Sequence, residues 1–266
     1  MIGTTNPLIA ARSILTTSSA VDAKLPAPVL AANARAERVL AGSRSLFPGP
    51  DAVTVSLVDA LDAGRDAASD PAVLRAYIGQ QIGASGYGQS VEQIAGQQLR
   101  ETFALHANAI VRSWDKPFTS AATTLTEAHV RLGDVSLEDT RTILEAGPAA
   151  AGVWAQAQKA ATVLDQVVGA WVGLAGLTGF APVHPHLNSL RIVDASADQL
   201  TPNLRGKQAK PWDVLCAGLS LSLADGPEFT RRVRAIEQQE RAEASALERE
   251  AHDRATGRRA VPLSAA

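Results

Sequence analysis

The longest apolar segment of the chain, residues 149–177, has the spacing of a helix. Its larger apolar residues recur every three or four positions, at Val153, Ala157, Leu164, Val167, Val168, Trp171, Val172 and Leu174. This period predicts an α-helix rather than a strand. From Gln166 to Val183 the chain carries no charge, and a helix that is apolar on every side is buried. We therefore predict an all-α, multi-helix bundle built around this central helix.

The same segment also meets the minimum length for a membrane span, and Gly169 and Gly173 have the G-x-x-x-G spacing of membrane helix pairs. However, glycine, threonine and proline residues dilute its hydrophobicity. No Lys or Arg lies close enough to set an orientation in a bilayer. We therefore favour the core helix of a soluble protein and expect no membrane partner.

Shorter helices are predicted before the central one. Asp70 followed by Pro71 is a good N-cap and first-turn pair, and Ser90 with Gln93 matches a capping box. The first helices carry apolar residues at helical spacing, among them Leu57, Leu61, Leu74, Tyr77 and Ile78. Glycine-rich residues 79–90 follow a helix and lack the dinucleotide-binding order, so we expect a flexible connector. The predicted helices before the central one alternate with short turns, and short connections favour a bundle of antiparallel neighbours.

After the central helix the pattern becomes irregular. Residues 179–211 are rich in Pro and Asn and predict an irregular excursion on the bundle surface. Residues 212–223 fit a helix or a strand, and their length favours a helix. The last segment is apolar only at its start, at Phe229, Val233 and Ile236, and is then charged. We therefore divide the chain into an N-terminal helical layer (1–89), a main bundle (90–226) and a charged helical tail (227–266).

Composition adds limits to this picture. The chain has 266 residues, of which 46% are apolar but only 4% aromatic, so the core must consist of Ala, Leu and Val in closely packed helices. The net charge of −2 predicts no broad attraction to nucleic acid or anionic lipid. The single Cys216, in a leucine-rich segment, is expected to be a small buried residue. The absence of a secretory signal and of paired cysteines favours the cytoplasm.

Catalytic patterns are weak. His184 and His186 lie two residues apart near two aspartates, which would suit a metal-dependent enzyme, but a third ligand is needed. His106 and His129 belong to no H-E-x-x-H or E-x-x-H pattern, and no G-x-S-x-G elbow occurs. We therefore predict no cofactor, no bound metal and no catalytic residue.

Two basic clusters are the candidate binding residues. The first, in the excursion, would hold a phosphate backbone and stack a base, and consists of Arg191, Arg205, Lys207, Lys210 and Trp212. The second lies at the start of the tail and offers contacts for a protein partner, through Arg231, Arg232, Arg234, Glu237 and Arg241. Acidic neighbours offset the charge of both clusters.

No residue set matches a family signature, although the chain in its general texture resembles small helical accessory proteins of phages and plasmids from GC-rich bacteria. The predicted function is a non-enzymatic helical interaction or assembly protein, an accessory or structural component that self-associates or binds another protein. The alternative is a nucleic-acid-associated accessory subunit that uses the Arg205–Lys210 loop. A weaker alternative is the metal-dependent enzyme that uses His184 and His186.

Overall fold

The computed structural model describes residues 6–46, 49, 51–182, 184, 186–205 and 209–255. These residues form an all-α bundle, which confirms the predicted fold class. The elements in chain order are α1 (Pro7–Ala20), α2 (Ala27–Leu46), α3 (Ala52–Asp62), α4 (Pro71–Ala84), α5 (Tyr87–Leu105), α6 (Ala107–Ser113), α7 (Asp115–Leu132), α8 (Thr140–Glu145), α9 (Pro148–Thr178), a 3₁₀ turn (Asn188–Arg191), α10 (Pro202–Arg205), α11 (Pro211–Cys216) and α12 (Gly226–Ala255).

The central helix of the bundle is α9, as predicted. Pro148 occupies its first turn, and Gly179 ends it in the left-handed conformation that a glycine adopts without strain. The helix packs against α1, α5 and α7. Its buried side includes Ala157, Leu164, Val167, Trp171 and Leu174.

One side of α9 is exposed, which corrects the expectation that Val172 is buried with the other large apolar residues of this helix. Val172 has 46% of its surface exposed, and Gly152, Gly169 and Gly176 are also exposed. Because glycine has no side chain, this outward side adds little apolar surface to the solvent. A helix can therefore lack charge at one end and still have one side in water.

By length and composition alone, α9 is also the one described helix that could cross a membrane. An 18-residue window has a mean hydropathy of 1.4, and 44% of that window is buried inside the bundle. The core helix of a soluble protein passes the same test.

The described helices before residue 89 pack against different parts of the bundle. The first helix starts where Asn6 Oδ1 accepts a hydrogen bond from Leu8 N at 2.9 Å, and it packs against α9 and α5. In contrast, α3 and α4 pack mainly against each other, and α4 also contacts α5. The predicted cap of α4 is present, because Asp70 Oδ1 accepts from Ala72 N at 2.8 Å. We call α3 and α4 the outer layer.

The glycine-rich segment 79–90 is mostly helical, which corrects the expectation of a flexible connector. Helix α4 continues to Ala84, and α5 begins at Tyr87, so Ser90 lies inside α5 and caps no helix. The break between the two helices is confined to the residues around Gly86, whose φ of +79° is left-handed. Gly79, in the last two turns of α4, is buried.

The described residues of the excursion at 179–211 are mostly irregular, as predicted, but they contribute to the core rather than lying on the surface. Its buried apolar side chains include Leu187, Leu190, Ile192, Val193 and Leu204. Residues 221–224 run beside it, and Ser222 N donates to Ile192 O at 2.8 Å while Ala224 N donates to Arg191 O at 2.8 Å. Backbone hydrogen bonds thus satisfy polar groups that burial of an irregular segment would otherwise leave unpaired.

The predicted helix over 212–223 is only partly present. Helix α11 ends at Cys216, and Gly218, with φ of +74°, turns the chain into an extended segment. The alternating leucines at 219–223 therefore reflect this extended segment. Cys216 is exposed, which contradicts its expected burial.

The last helix, α12, docks by its first three turns. Phe229, Val233 and Ile236 are buried, as predicted. One further turn makes polar contacts: Gln239 Oε1 accepts from Ala197 N at 3.0 Å, and Arg205 Nη1 donates to Glu240 Oε1 at 2.5 Å. Residues 241–253 are all exposed.

Candidate functional site

The basic cluster of the excursion is used within the fold. Arg205 donates to two backbone carbonyl groups of the excursion and to Glu240 of α12. Lys210 forms an ion pair with Glu138. Lys207 lies outside the described residues. Two of the predicted phosphate contacts are therefore already paired with carboxylates, although the ion pair of Lys210 is at the surface, where it contributes little.

Trp212 and Arg191, from the same cluster, are buried, each with 6% of its surface exposed. The indole of Trp212 donates to Val135 O at 3.1 Å, so it has no open face on which a base could stack, contrary to the prediction. The Arg191 Nε atom is buried without a hydrogen-bond partner, and burial lowers the pKa of its guanidinium to about 10. Neither residue is a surface contact for nucleic acid.

The cluster at the start of α12 is divided between the core and the surface. Arg232, which is buried, donates four hydrogen bonds, to Leu190 O, Ser222 O, Ser222 Oγ and Glu228 Oε1. It is therefore a structural residue and not a partner contact, which corrects the prediction. Arg231 is exposed and pairs with Glu228 and with Asp194. The hydrogen bond from Arg231, followed by that from Arg232, lowers the pKa of Glu228 to about 2.

The remaining predicted partner contacts are at the surface. Arg234 and Arg241 are exposed, and Glu237 is partly exposed. Glu237 Oε2 lies 3.6 Å from Arg241 Nη2, and Glu237 Oε1 lies 3.4 Å from His184 Nε2. Arg234, Glu237 and Arg241 stay candidates for contact with a partner. The ion pair between Glu237 and Arg241 is exposed, so it contributes little to stability.

The histidines do not converge on one site. His106 lines a groove between α2 and α5, His184 lies beside α12, and His186 is exposed. Within the described part of the chain, neither His184 nor His186 belongs to a group of three side chains close enough to share a metal ion. The weaker alternative, a metal-dependent enzyme that uses these two histidines, therefore has no third ligand among the described residues.

A set of exposed apolar side chains distinguishes the outer layer. Seven large residues of α3 and α4 have between 38 and 62% of their surface in water: Val55, Leu57, Val58, Leu61, Leu74, Tyr77 and Ile78. The buried apolar positions of these helices are small, at Ala60, Ala76 and Gly79. Most large apolar residues of these two helices, all except the partly buried Val53, Val73 and Ile82, thus lie on the outward side, which is the reverse of the usual arrangement at a solvent-facing surface.

A groove lies between α2 and α5, the helices that precede and follow the outer layer in sequence, and it is also apolar. It has a volume of about 630 Å³, and Val39, Ile94 and Leu105 line it. These three side chains are 42, 59 and 81% exposed. The N-terminal helices therefore present apolar surface on more than one element.

A second groove, of about 850 Å³, lies between α7 and the extended segment after α11. Leucines of the extended segment line one wall and threonines of α7 line the other. Asp115 is at this groove, and its burial, followed by the nearby Asp225, raises its pKa against the opposing effect of Arg112. Glu127 and His129 line the same groove.

His129, which also lines the second groove, belongs to a cluster that the sequence did not predict. Its Nε2 atom lies 3.0 Å from Asp134 Oδ1, and the ligand atoms of His129, Asp134 and Cys216 all lie within 4.8 Å of one another. Burial, and then Asp134 and Asp213, raise the pKa of the Cys216 thiol. This effect opposes the thiolate that a nucleophilic cysteine requires, so the cluster does not resemble a catalytic triad.

No family model, curated protein or solved structure matches this chain.

Proposed function

We propose that this protein is a non-enzymatic helical assembly protein that self-associates through its outer layer, α3 and α4. The exposure of seven large apolar side chains on these two helices carries the proposal. Exposed apolar residues scattered singly are normal, whereas a set of them on neighbouring helices is typical of a protein–protein interface. Interaction and assembly, rather than catalysis, fit this surface.

The outer layer also gains little stability from its own chain. Its buried apolar side chains are small, whereas burying a Val, Leu or Ile side chain contributes about 1.5–3 kcal/mol. An isolated pair of short helices is marginal in water without such burial. A partner that covers the outward sides would supply the missing hydrophobic contribution.

The partner we propose is a second copy of this chain. From their exposed fractions, the seven side chains leave on the order of 700 Å² open to solvent, which is close to the ~800 Å² that each partner contributes to a standard interface. The whole chain has a net charge of only −2, so two copies repel each other weakly. Pairing of the two outer layers would also place helix against helix, the packing on which the rest of the bundle depends.

Light scattering coupled to size-exclusion chromatography tests this proposal. Val58 of α3 and Val130 of α7 are both exposed valines, at 58 and 79%. We expect the unmodified protein to form a dimer whose fraction rises with concentration. Val58→Asp should make it monomeric because a charge would be buried in the interface, whereas the matched Val130→Asp variant should still dimerise.

Two outcomes would overturn the proposal. A protein that stays monomeric up to high micromolar concentration would exclude the second copy and leave the apolar layer to a different protein. A dimer that survives Val58→Asp and is lost in Val130→Asp would move the interface to α7. Circular dichroism of both variants separates these outcomes from loss of folding.

The proposal extends to a soluble, cytoplasmic accessory or structural component of a larger assembly. The packing of the apolar side of α9 against α1, α5 and α7 supports a soluble protein rather than a membrane protein. Fractionation tests this point, because a membrane-spanning protein would sediment with the membranes and require detergent for release. We expect the protein in the soluble fraction.

A further inference from the structure

Three side chains of metal-binding type meet at the end of α7. His129 lies in the last turn of this helix, Asp134 follows Gly133, and Cys216 is the last residue of α11. Gly133 ends α7 with φ of +66°, a conformation that brings the chain back beside the helix. As a result Asp134 Oδ1 lies 3.0 Å from His129 Nε2.

Trp212 connects α11 to the same place. It precedes Cys216 by one helical turn, so the two side chains are on one side of α11. The rings of Trp212 and His129 meet edge to face, with centroids 5.2 Å apart and an interplanar angle of 74°. The buried indole, fixed by its hydrogen bond to Val135 O, thus holds the imidazole in place and positions Cys216 beside it.

We propose that His129, Asp134 and Cys216 bind a zinc ion. Their ligand atoms lie within 4.8 Å of one another, whereas zinc at 2.0–2.3 Å from each ligand would bring them to roughly 3.3–3.7 Å. The side chains of Asp134 and Cys216 are exposed, so rotation about their side-chain bonds can close this difference. Water would complete a tetrahedral set in the fourth position, as it does at open zinc sites.

The types of ligand atom in the cluster indicate which metal ion it would bind. A thiolate, an imidazole and a carboxylate suit zinc, whereas magnesium and calcium require oxygen ligands throughout. When zinc binds, the Cys216 thiol loses its proton to solvent and the sulfur donates its electron pair to the metal.

The charge at the cluster also favours a cation. Asp134 and Asp213 are both near the Cys216 sulfur, and no Lys or Arg among the described residues forms an ion pair with Asp134. Lys210, which immediately precedes α11, forms an ion pair with Glu138. A divalent cation would therefore neutralise the charge of Asp134, and it would join the end of α7 to the end of α11.

Cobalt(II) titration of the full-length reduced protein tests the site, because thiolate coordination gives a charge-transfer band in the near ultraviolet and tetrahedral cobalt gives strong visible bands. We expect one equivalent to bind and zinc to displace it. Cys216→Ser should abolish the charge-transfer band, and His129→Ala and Asp134→Asn should each weaken zinc binding at least tenfold in competition with a chelator. The matched controls His186→Ala and Asp198→Asn, which remove exposed donors elsewhere, should bind as the unmodified protein does.

Thermal stability supplies a second measurement. Zinc should raise the melting temperature of the unmodified protein and leave that of Cys216→Ser unchanged, because a ligand that binds only the folded state stabilises it. Absence of the charge-transfer band, or an unchanged zinc affinity in Cys216→Ser, would overturn the proposal. If His129→Ala unfolds because it loses its packing against Trp212, the two variants with exposed side chains, Cys216→Ser and Asp134→Asn, still decide the outcome.

Discussion

The indole nitrogen of Trp114 donates a hydrogen bond to the hydroxyl of Ser18 at 2.9 Å, although 96 positions separate the two residues in sequence. Both side chains are buried, and the Ser18 hydroxyl in turn donates to Ile14 O at 2.8 Å. This pair of bonds joins α1 to the junction between α6 and α7. The first helix is therefore a part of the core and not a detachable N-terminal element.

Removal of the Ser18 hydroxyl tests that relationship. Ser18→Ala leaves the buried Trp114 N–H without an acceptor, which we expect to lower the free energy of unfolding by about 1–3 kcal/mol. The neighbouring Ser19 is exposed, so Ser19→Ala should change it by less than about 0.5 kcal/mol. Urea denaturation measures both values. Equal effects of the two substitutions would mean that the buried bond makes no net contribution.

The orientation of α9 gives a second prediction. Leu164 is fully buried, and Leu164→Ala should cost about 2–5 kcal/mol through lost apolar transfer energy and the cavity that remains. Val172 is 46% exposed, and Val172→Ala should have an effect within about 0.5 kcal/mol because alanine is also the better helix former. A large destabilisation by the second substitution, measured by the same denaturation, would place Val172 in a contact.

The two buried arginines should respond oppositely to replacement by methionine. Arg191 is buried with an unpaired Nε, and the depression of its pKa to about 10 corresponds to a penalty of about 3 kcal/mol against the charged form. We therefore expect Arg191→Met to raise the free energy of unfolding by about 1–3 kcal/mol. Arg232→Met should lower it by about 3–5 kcal/mol, because Glu228 and buried carbonyl groups lose their donor. Denaturant unfolding of both variants measures the two changes, and a loss of stability in Arg191→Met would show that its charge has a partner in solution.

Glu228 should make stability depend on pH. Its pKa is lowered from an ordinary value of 4.5 to about 2 by hydrogen bonds from Arg231 and Arg232. A depressed pKa means that its stabilising contribution is fully present above about pH 4.5 and is lost as the pH falls from there toward 2. The stability difference between the unmodified protein and Glu228→Gln should therefore shrink over this interval. The exposed Glu248→Gln variant serves as the control, and a difference that is constant from pH 5 to 2.5 would contradict the assignment.

Local signals explain how much of this architecture the sequence predicts. The cap at Asp70 and the period of α9 act over a few residues, so they can be identified without the fold. The exposure of Leu57 and Tyr77 cannot be identified in this way. An apolar side of a helix indicates that this side is covered, but it does not show whether the same chain or another one covers it. The burial of Trp212 and the exposure of Cys216 were missed for a similar reason: α11 ends one turn after Trp212, and only the tertiary fold brings both residues to His129.

The charged end of α12 gives the last prediction. Residues 241–253 are exposed, and the hydrogen bonds that join α12 to the excursion through Gln239 and Glu240 lie before them. Deletion of residues 241–266 should therefore leave the melting temperature nearly unchanged. Deletion from residue 238 also removes the hydrogen bonds of Gln239 and Glu240 to the excursion, and we expect this variant to melt a few degrees lower.

Deletion of the tail also tests whether the protein associates through the outer layer or through α12. If α3 and α4 form the interface, the protein that lacks residues 241–266 should dimerise with unchanged affinity in light scattering. A charged helix without large apolar residues other than Leu247 gains only about 0.2–0.5 kcal/mol from each i, i+4 ion pair, so it cannot by itself hold two copies together. Loss of the dimer on this deletion, with folding intact, would place the association surface on α12 and leave the outer layer to another protein.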